Sequence, residues 1–310
     1  ITVEELNTAG TNQFFCQSTS YSLSITITAV AANNLANLRV YNCGDVTITA
    51  GASAKANAGT SMNFTSSLFQ NNATVTLPVP DGGSNFKSAQ FFYNRGKIAI
   101  EAAAGSPAPL VLTSATFGGS SSGNKDIEVT VPSGDLEFDS STWTNNQGVK
   151  ITARKAEPRT VTSVSMTGHR DIELDLGETL TLVKTTLDIN AAAAIGWIKL
   201  PGTMALTLTG GSPYSQIRGN FDFGDLLSKR TSLTIDAGSK IDASGKGFAG
   251  GGVNTNGSGD PTSLGCVTGG PSPCNTGGRM GYRNYGWGAG GGGNAGSGGN
   301  GKVSKQDDDR

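Results

Sequence analysis

One pattern constrains this chain more than any other: an apolar residue, four mostly small or polar residues, then a second apolar residue. It occurs as Phe64 to Phe69, Phe86 to Phe91, Leu112 to Phe117, Phe138 to Trp143, Val161 to Met166 and Leu182 to Leu187. Self-similarity at a spacing in the twenties signals stacked repeats, because one such unit is too short to bury its own apolar face. In a flat strand, residues five apart point to opposite sides. For both ends of each copy to face the interior, the chain must turn a corner between them. The small residues at the third position, Ser66, Ser88, Ser114, Ser140 and Ser163, are expected to stack at that corner. Lys184 breaks the series and predicts a shift of register there.

Short alternating strands accompany these copies: Val46 to Ile48, Val75 to Leu77, Ile98 to Ile100, Ile127 to Val129, Val149 to Ile151, Ile172 to Leu174, Ile198 to Leu200 and Leu233 to Ile235. Alternation at period two marks a strand with one buried face, and loops such as Pro80 to Ser84 carry the residues that turns need. Units of roughly 21 to 29 residues suit one turn of a parallel β-solenoid. Outward positions then run Thr76, Ala99, Glu128, Lys150, Glu173, Lys199, one above another about 4.8 Å apart. The last four alternate in sign, which supports this register, since opposite charges on neighbouring strands attract. The expected fold is all-β: a solenoid over residues 39–244, an N-terminal cap or inter-subunit segment over 1–38, and a glycine-rich C-terminal segment over 245–310. Within the cap, Ser22 to Thr28 alternates as a strand and Ala29 to Leu38 is expected to form a short helix.

These coils, together with Leu233 to Gly245, resemble the right-handed parallel β-helices of bacterial surface and secreted proteins, of the pectin-lyase-like and filamentous-haemagglutinin-like kind. The resemblance covers about two thirds of the chain. It is one of repeat style, so it implies a right-handed coil path and an extracellular or surface setting more than an activity.

Composition narrows the partners. The formal net charge is −1 over 310 residues, with acidic and basic residues interspersed, so nothing points to nucleic acid held by bulk electrostatics. No apolar run is long enough for a helical membrane span. The chain begins at Ile1 without an initiator Met, which reads as a mature chain after signal-peptide removal or as a truncation. Four cysteines fit an oxidising compartment and allow three pairings, of which Cys16 with Cys43 and Cys266 with Cys274 is the most economical; unpaired buried thiols are the alternative.

About half of the 45 glycines fall between Gly245 and Gly301. Such a run is either flexible or packs side by side as extended polyglycine helices, resembling the glycine-rich tips of some phage adhesins and some antifreeze proteins. Within it, Tyr282, Arg283, Tyr285 and Trp287 read as cover for the last coil, or as a stacking surface for sugar or another subunit.

Candidates for chemistry are few. His169 is the single histidine, which excludes zinc sites with more than one His ligand, and it reads as a loop histidine without a catalytic role. Asp135, Glu137 and Asp139 alternate on one segment and Asp171, Glu173 and Asp175 on another; these are the best enzyme candidates, yet the pattern fits a solvated outer face. No catalytic residue, metal or cofactor is expected. Asn63, Asn72 and Asn256 match the N-glycosylation triplet. The expected function is a secreted, non-enzymatic structural or adhesive solenoid of a cell surface, assembling head to tail into a filament, with surface glycans as a further partner. The alternative is a carbohydrate-binding or carbohydrate-cleaving β-helix: a polysaccharide lyase or hydrolase, or a tail-spike-like phage adhesin.

Overall fold

The computed structural model of the protein describes residues 2–3, 13–28, 30–118, 125–153, 158–189, 196–222 and 232–242. Their regular secondary structure is nearly all parallel strands, stacked as a β-solenoid of about eight turns, with almost no helix. The chain divides into two compact units, Ile1–Asp242 and Ala243–Arg310, and the described residues belong to the first.

Each turn carries three faces. Face 1 runs from Thr2–Val3 through Leu23–Ile27, Val46–Ala50, Val75–Val79, Ile98–Ala102, Asp126–Thr130, Gly148–Thr152, Asp171–Asp175 and Trp197–Lys199 to Asn220–Asp222. Face 3 is equally continuous, from Gln13–Phe15 to Lys240–Asp242. Face 2 forms two sheets, one from Ala32–Asn34 to Leu136–Glu137 and one from Arg159–Thr162 to Ser232–Ile235. At the break, the Arg159 guanidinium donates to the carbonyls of Leu136 (3.0 Å) and Gly134 (3.2 Å). A side chain thus supplies donors where the sheet's backbone ladder is interrupted.

The six-residue pattern is the corner between faces 2 and 3. All twelve of its apolar ends are buried. The third residue adopts left-handed backbone geometry in every copy, with φ between 56° and 58° at Ser66, Ser88, Ser114, Ser140 and Ser163. This conformation turns the chain sharply enough for residues five apart to face the same interior. The corner N–H keeps pairing across turns: Ser66 donates to the Lys87 carbonyl, Ser88 to Thr113 and Ser114 to Asp139.

Three details differ from the sequence reading. The third residue projects outward, and the inner layer of the corner is instead the fourth: Ser67, Ala89, Ala115, Ser141, Val164 and Thr185 are buried. Lys184 causes no shift, because it takes the same geometry (φ 51°) with its side chain exposed; Val161, Leu182 and Leu208 stay in register across it. The irregularity falls earlier, between Thr167 and His169. Finally, Leu233–Thr234–Ile235 continues face 2, pairing with Leu206–Leu208, while Asn220–Asp222 continues face 1.

The coils also begin sooner than residue 39. Leu23–Ile27 pairs in register with Val46–Ala50, and Leu35 to Val40 is a further copy of the corner, with Asn37 at φ 60°. Part of the segment expected as a helix is the strand Ala32–Asn34; Ala29 lies outside the described residues. The cap expected over 1–38 therefore contributes strands of its own. Cys16 and Cys43 are bonded, with Cα atoms 4.9 Å apart, and the bridge joins the turn of Gln13–Phe15 to the next.

Stacking identical positions builds the core as columns. Phe69, Phe91, Phe117 and Trp143 are in register, with successive ring centroids 5.1, 4.6 and 3.9 Å apart and nearly parallel planes. Such pairs add about 0.5–1.5 kcal/mol each beyond burial. Outside, Thr76, Ala99, Glu128, Lys150, Glu173 and Lys199 form the expected column. Lys150 pairs with Glu173 at 3.0 Å, and Lys97 pairs with Glu128. Both are solvated, so each contributes about 1 kcal/mol at most.

A left-handed residue other than glycine costs about 1–2 kcal/mol, and branching at Cβ raises that cost. Ser114→Val should therefore lower stability by about 1–2 kcal/mol. Ser114→Gly should leave it nearly unchanged, because strain relief offsets the greater freedom of the unfolded chain. Urea denaturation midpoints check both; a valine tolerated as well as glycine would refute the corner's role.

Candidate binding surfaces and the buried polar ladder

A second corner follows face 3. Two residues beyond the inner apolar end, left-handed geometry recurs at Asn42, Asn71, Tyr93, Asn145 and Gly168. The next residue in each turn, Cys43, Asn72, Asn94, Asn146 and His169, is buried. Their polar ends form a ladder along the interior. Each amide reaches back one turn: Asn72 Nδ2 donates to the Val40 carbonyl (3.2 Å), Asn94 Nδ2 to Phe69 (3.1 Å) and Asn146 Nδ2 to Phe117 (3.3 Å). In return, the backbone N–H of Cys43 donates to Asn72 Oδ1 and that of Asn72 to Asn94 Oδ1. A primary amide suits this place because it offers a donor and an acceptor, as the backbone does.

His169 holds the same position and plays the same part. Its Nε2–H donates to the Trp143 carbonyl (3.1 Å), and Nδ1 accepts from the Asn146 N–H (3.2 Å). This histidine is not in a loop, as expected, but ends the strand Ser165–His169. Burial lowers its pKa from 6.5 to about 4; the carbonyls of Asn146 and Trp143 beside the ring offset this only in part. The ring is thus neutral and structural, with both nitrogens committed.

Asn72 is fully buried with both ends of its amide bonded, so in the folded protein it offers no acceptor for a glycan. Asn63 lies outward on face 2, where its Nδ2 donates to Asn34 Oδ1 (3.2 Å) and its Oδ1 accepts from the Thr65 N–H (3.1 Å). Asn256, Cys266, Cys274, Tyr282, Arg283, Tyr285 and Trp287 lie outside the described residues.

The two acidic triplets do not converge. Asp135, Glu137 and Asp139 lie along face 2 and its corner, where Glu137 accepts from the Thr113 hydroxyl and Asp139 from the Thr162 N–H. Asp171, Glu173 and Asp175 lie on face 1, where Asp171 pairs with Arg170 and accepts from the Trp197 N–H, and Glu173 pairs with Lys150. Among the described residues, no group of three or more His, Cys, Asp or Glu is placed to hold a metal ion. No helix among them is long and apolar enough to cross a membrane.

A concave site that the sequence reading missed lies on face 2. The outward column there is Asn34, Asn63, Asn85, Val111, Glu137. Beside it a groove of about 270 Å³ is lined by Ser61, Asn63, Asn85, Pro109, Val111 and the backbone of Gly82–Gly83, with no charged side chain. Gly83 is required: its φ is +93°, and a Cβ would stand 2.6 Å from the Pro109 ring. Asn85 Oδ1 accepts from the Lys87 N–H (2.9 Å), an Asx turn that holds the side chain against its own corner. A signal for the groove existed in the asparagine preceding the corner in successive turns; the bend that makes it concave did not.

Comparison of the chain with protein-family models, with curated proteins and with solved structures returned no match. Function therefore has to be argued from the sites themselves.

The ladder has a pH consequence. Because the folded protein holds His169 at about 4 and the unfolded chain near 6.5, only the unfolded chain gains a proton between these values. Stability conferred by the neutral ring is complete above pH 6.5 and declines on acidification, reaching a loss of about 3 kcal/mol by pH 4. His169→Asn keeps the ladder's donor and acceptor and should lose this part of the acid sensitivity while staying close to wild type at pH 7. Urea midpoints at pH 7 and 4.5 for both proteins check this; identical pH dependence would contradict it.

Proposed function

We propose that the protein is a secreted, non-enzymatic structural or adhesive solenoid of a cell surface, and that it assembles end to end as the repeating subunit of an extracellular filament. The last described turn of face 2 carries this reading. Leu233 continues the inward column of Leu180 and Leu206, and Ile235 that of Leu182 and Leu208. Those four leucines are buried, whereas Leu233 and Ile235 are 45% and 43% exposed. Among the described residues the core column ends here, at a strand edge with no further described neighbour, and an end of this kind is a template for a further parallel strand. A second copy stacked there makes a heterologous contact, and one that does not close on itself grows into a fibre. The Cys16–Cys43 bridge favours an oxidising compartment, and acidic side chains tied to local partners on separate faces favour a scaffold over a catalyst. The uncharged groove on face 2 supports the second reading, a carbohydrate-binding or carbohydrate-cleaving β-helix.

Electron microscopy of the purified protein over a range of concentrations should show filaments, and Ile235→Glu should leave monomers with an unchanged circular dichroism spectrum. Monomers alone at every concentration would defeat the filament reading. Turnover of an acidic polysaccharide, lost in Asp139→Asn or Asp175→Asn, would replace the scaffold reading with an enzymatic one.

A further inference from the structure

We infer that the groove on face 2 is a binding subsite for a neutral glycosyl residue. Its lining decides the ligand class. A phosphate or carboxylate ligand calls for a cation or free backbone donors. No Lys or Arg lines the groove, and the N–H groups of Gly82 and Gly83 are already given to the carbonyls of Thr60 and Pro80. A wholly apolar ligand would leave the Ser61 hydroxyl and the Asn85 amide nitrogen without partners, at a cost for each group desolvated. What remains is a ligand that is uncharged, rich in hydroxyls and apolar on one face.

The donors and the apolar wall are separately placed. Asn63 Nδ2 is committed to Asn34, and Asn63 Oδ1 to Thr65. Among the described residues Asn85 is held through Oδ1 alone, which leaves its two Nδ2 hydrogens for a ligand oxygen, and the Ser61 hydroxyl stands in the preceding turn. Pro109 and Val111 supply the apolar wall in the turn after Asn85. Polar groups therefore lie on the N-terminal side of the groove and carbon on the C-terminal side, with Asn85 about one strand spacing and Ser61 about two from the apolar wall. A pyranose ring has this division, with C–H groups on one face and hydroxyls around its rim. The volume of about 270 Å³ lies below the roughly 300–1,000 Å³ typical of pockets that enclose a drug-sized ligand. It therefore suits one sugar ring of a chain that continues along the surface. The inference does not depend on end-to-end assembly, and a failure to form filaments leaves it standing.

The test uses the full chain in isothermal titration calorimetry with cellohexaose, mannohexaose and maltohexaose, and with oligogalacturonate as the charged control. At least one neutral hexasaccharide should bind, more tightly than oligogalacturonate. Val111→Glu, which places a charge in the groove, and Asn85→Ala should each weaken it by about tenfold or more, with the circular dichroism spectrum unchanged for Val111→Glu. Val111 lies outward and carries the test if loss of the Asn85 bond to Lys87 unsettles the corner. No heat with any neutral sugar at about 10 mM, binding undiminished in Val111→Glu, or equal binding of oligogalacturonate would overturn the inference.

Discussion

A coil that turns three times per circuit must keep every buried backbone group paired while it turns. Corners are where such pairing ordinarily fails, because a bend swings N–H and C=O groups away from the neighbouring strand. Here the left-handed residue at the face 2 to face 3 corner rotates the chain yet aims its N–H at a carbonyl of the next turn. The ladder therefore continues through the bend. Register inside follows from this, since corners at equal positions in successive turns fix every side chain above its counterpart. The stacked rings from Phe69 to Trp143 and the sign-alternating column from Glu128 to Lys199 are consequences of that alignment.

At the corner after face 3 the backbone leaves groups that a neighbouring strand does not reach, and side chains complete the pairing. Asn72, Asn94 and Asn146 act as inserted peptide units, each giving to the previous turn and two of them taking from it as well. Removing one amide would leave buried partners unpaired, and such groups cost about 1–3 kcal/mol each. The same logic explains Arg159, whose guanidinium serves two carbonyls where face 2 changes sheet. These asparagines and Arg159 are therefore part of the scaffold, a demand of the backbone.

The repeat, the parallel pairing and the outward charge column were legible from the chain because each is periodic, and period is a property of sequence. Which small residue of Phe64 to Phe69 lies inside was not, since Ser66 and Ser67 are the same amino acid and only their backbone geometry separates them. Lys184 misled for a related reason: a long side chain looks disruptive in a list of serines, but an outward corner position places no limit on length. Leu233 to Ile235 alternates just as the face 1 strands do, and alternation carries no label for which sheet a strand joins. Asn72 showed both of its meanings, as a sequon by triplet and as a ladder member by its offset from Phe69; burial separates them. The groove depended on loops from adjacent turns coming together at Gly83 and Pro109, a relation between distant residues that no local pattern carries.

The bond between Cys16 and Cys43 has a bearing on how such a body comes apart. In a stack where each turn touches only its neighbours, separation begins at an end and travels inward one turn at a time. The bridge ties the first turn to the second, so peeling from the N-terminal end meets a covalent link at its first step. The described coils carry no such link at the opposite end, where Ser232–Ile235 is the last rung of face 2. A partly opened molecule therefore keeps its N-terminal turns joined as a seed on which the rest can rewind.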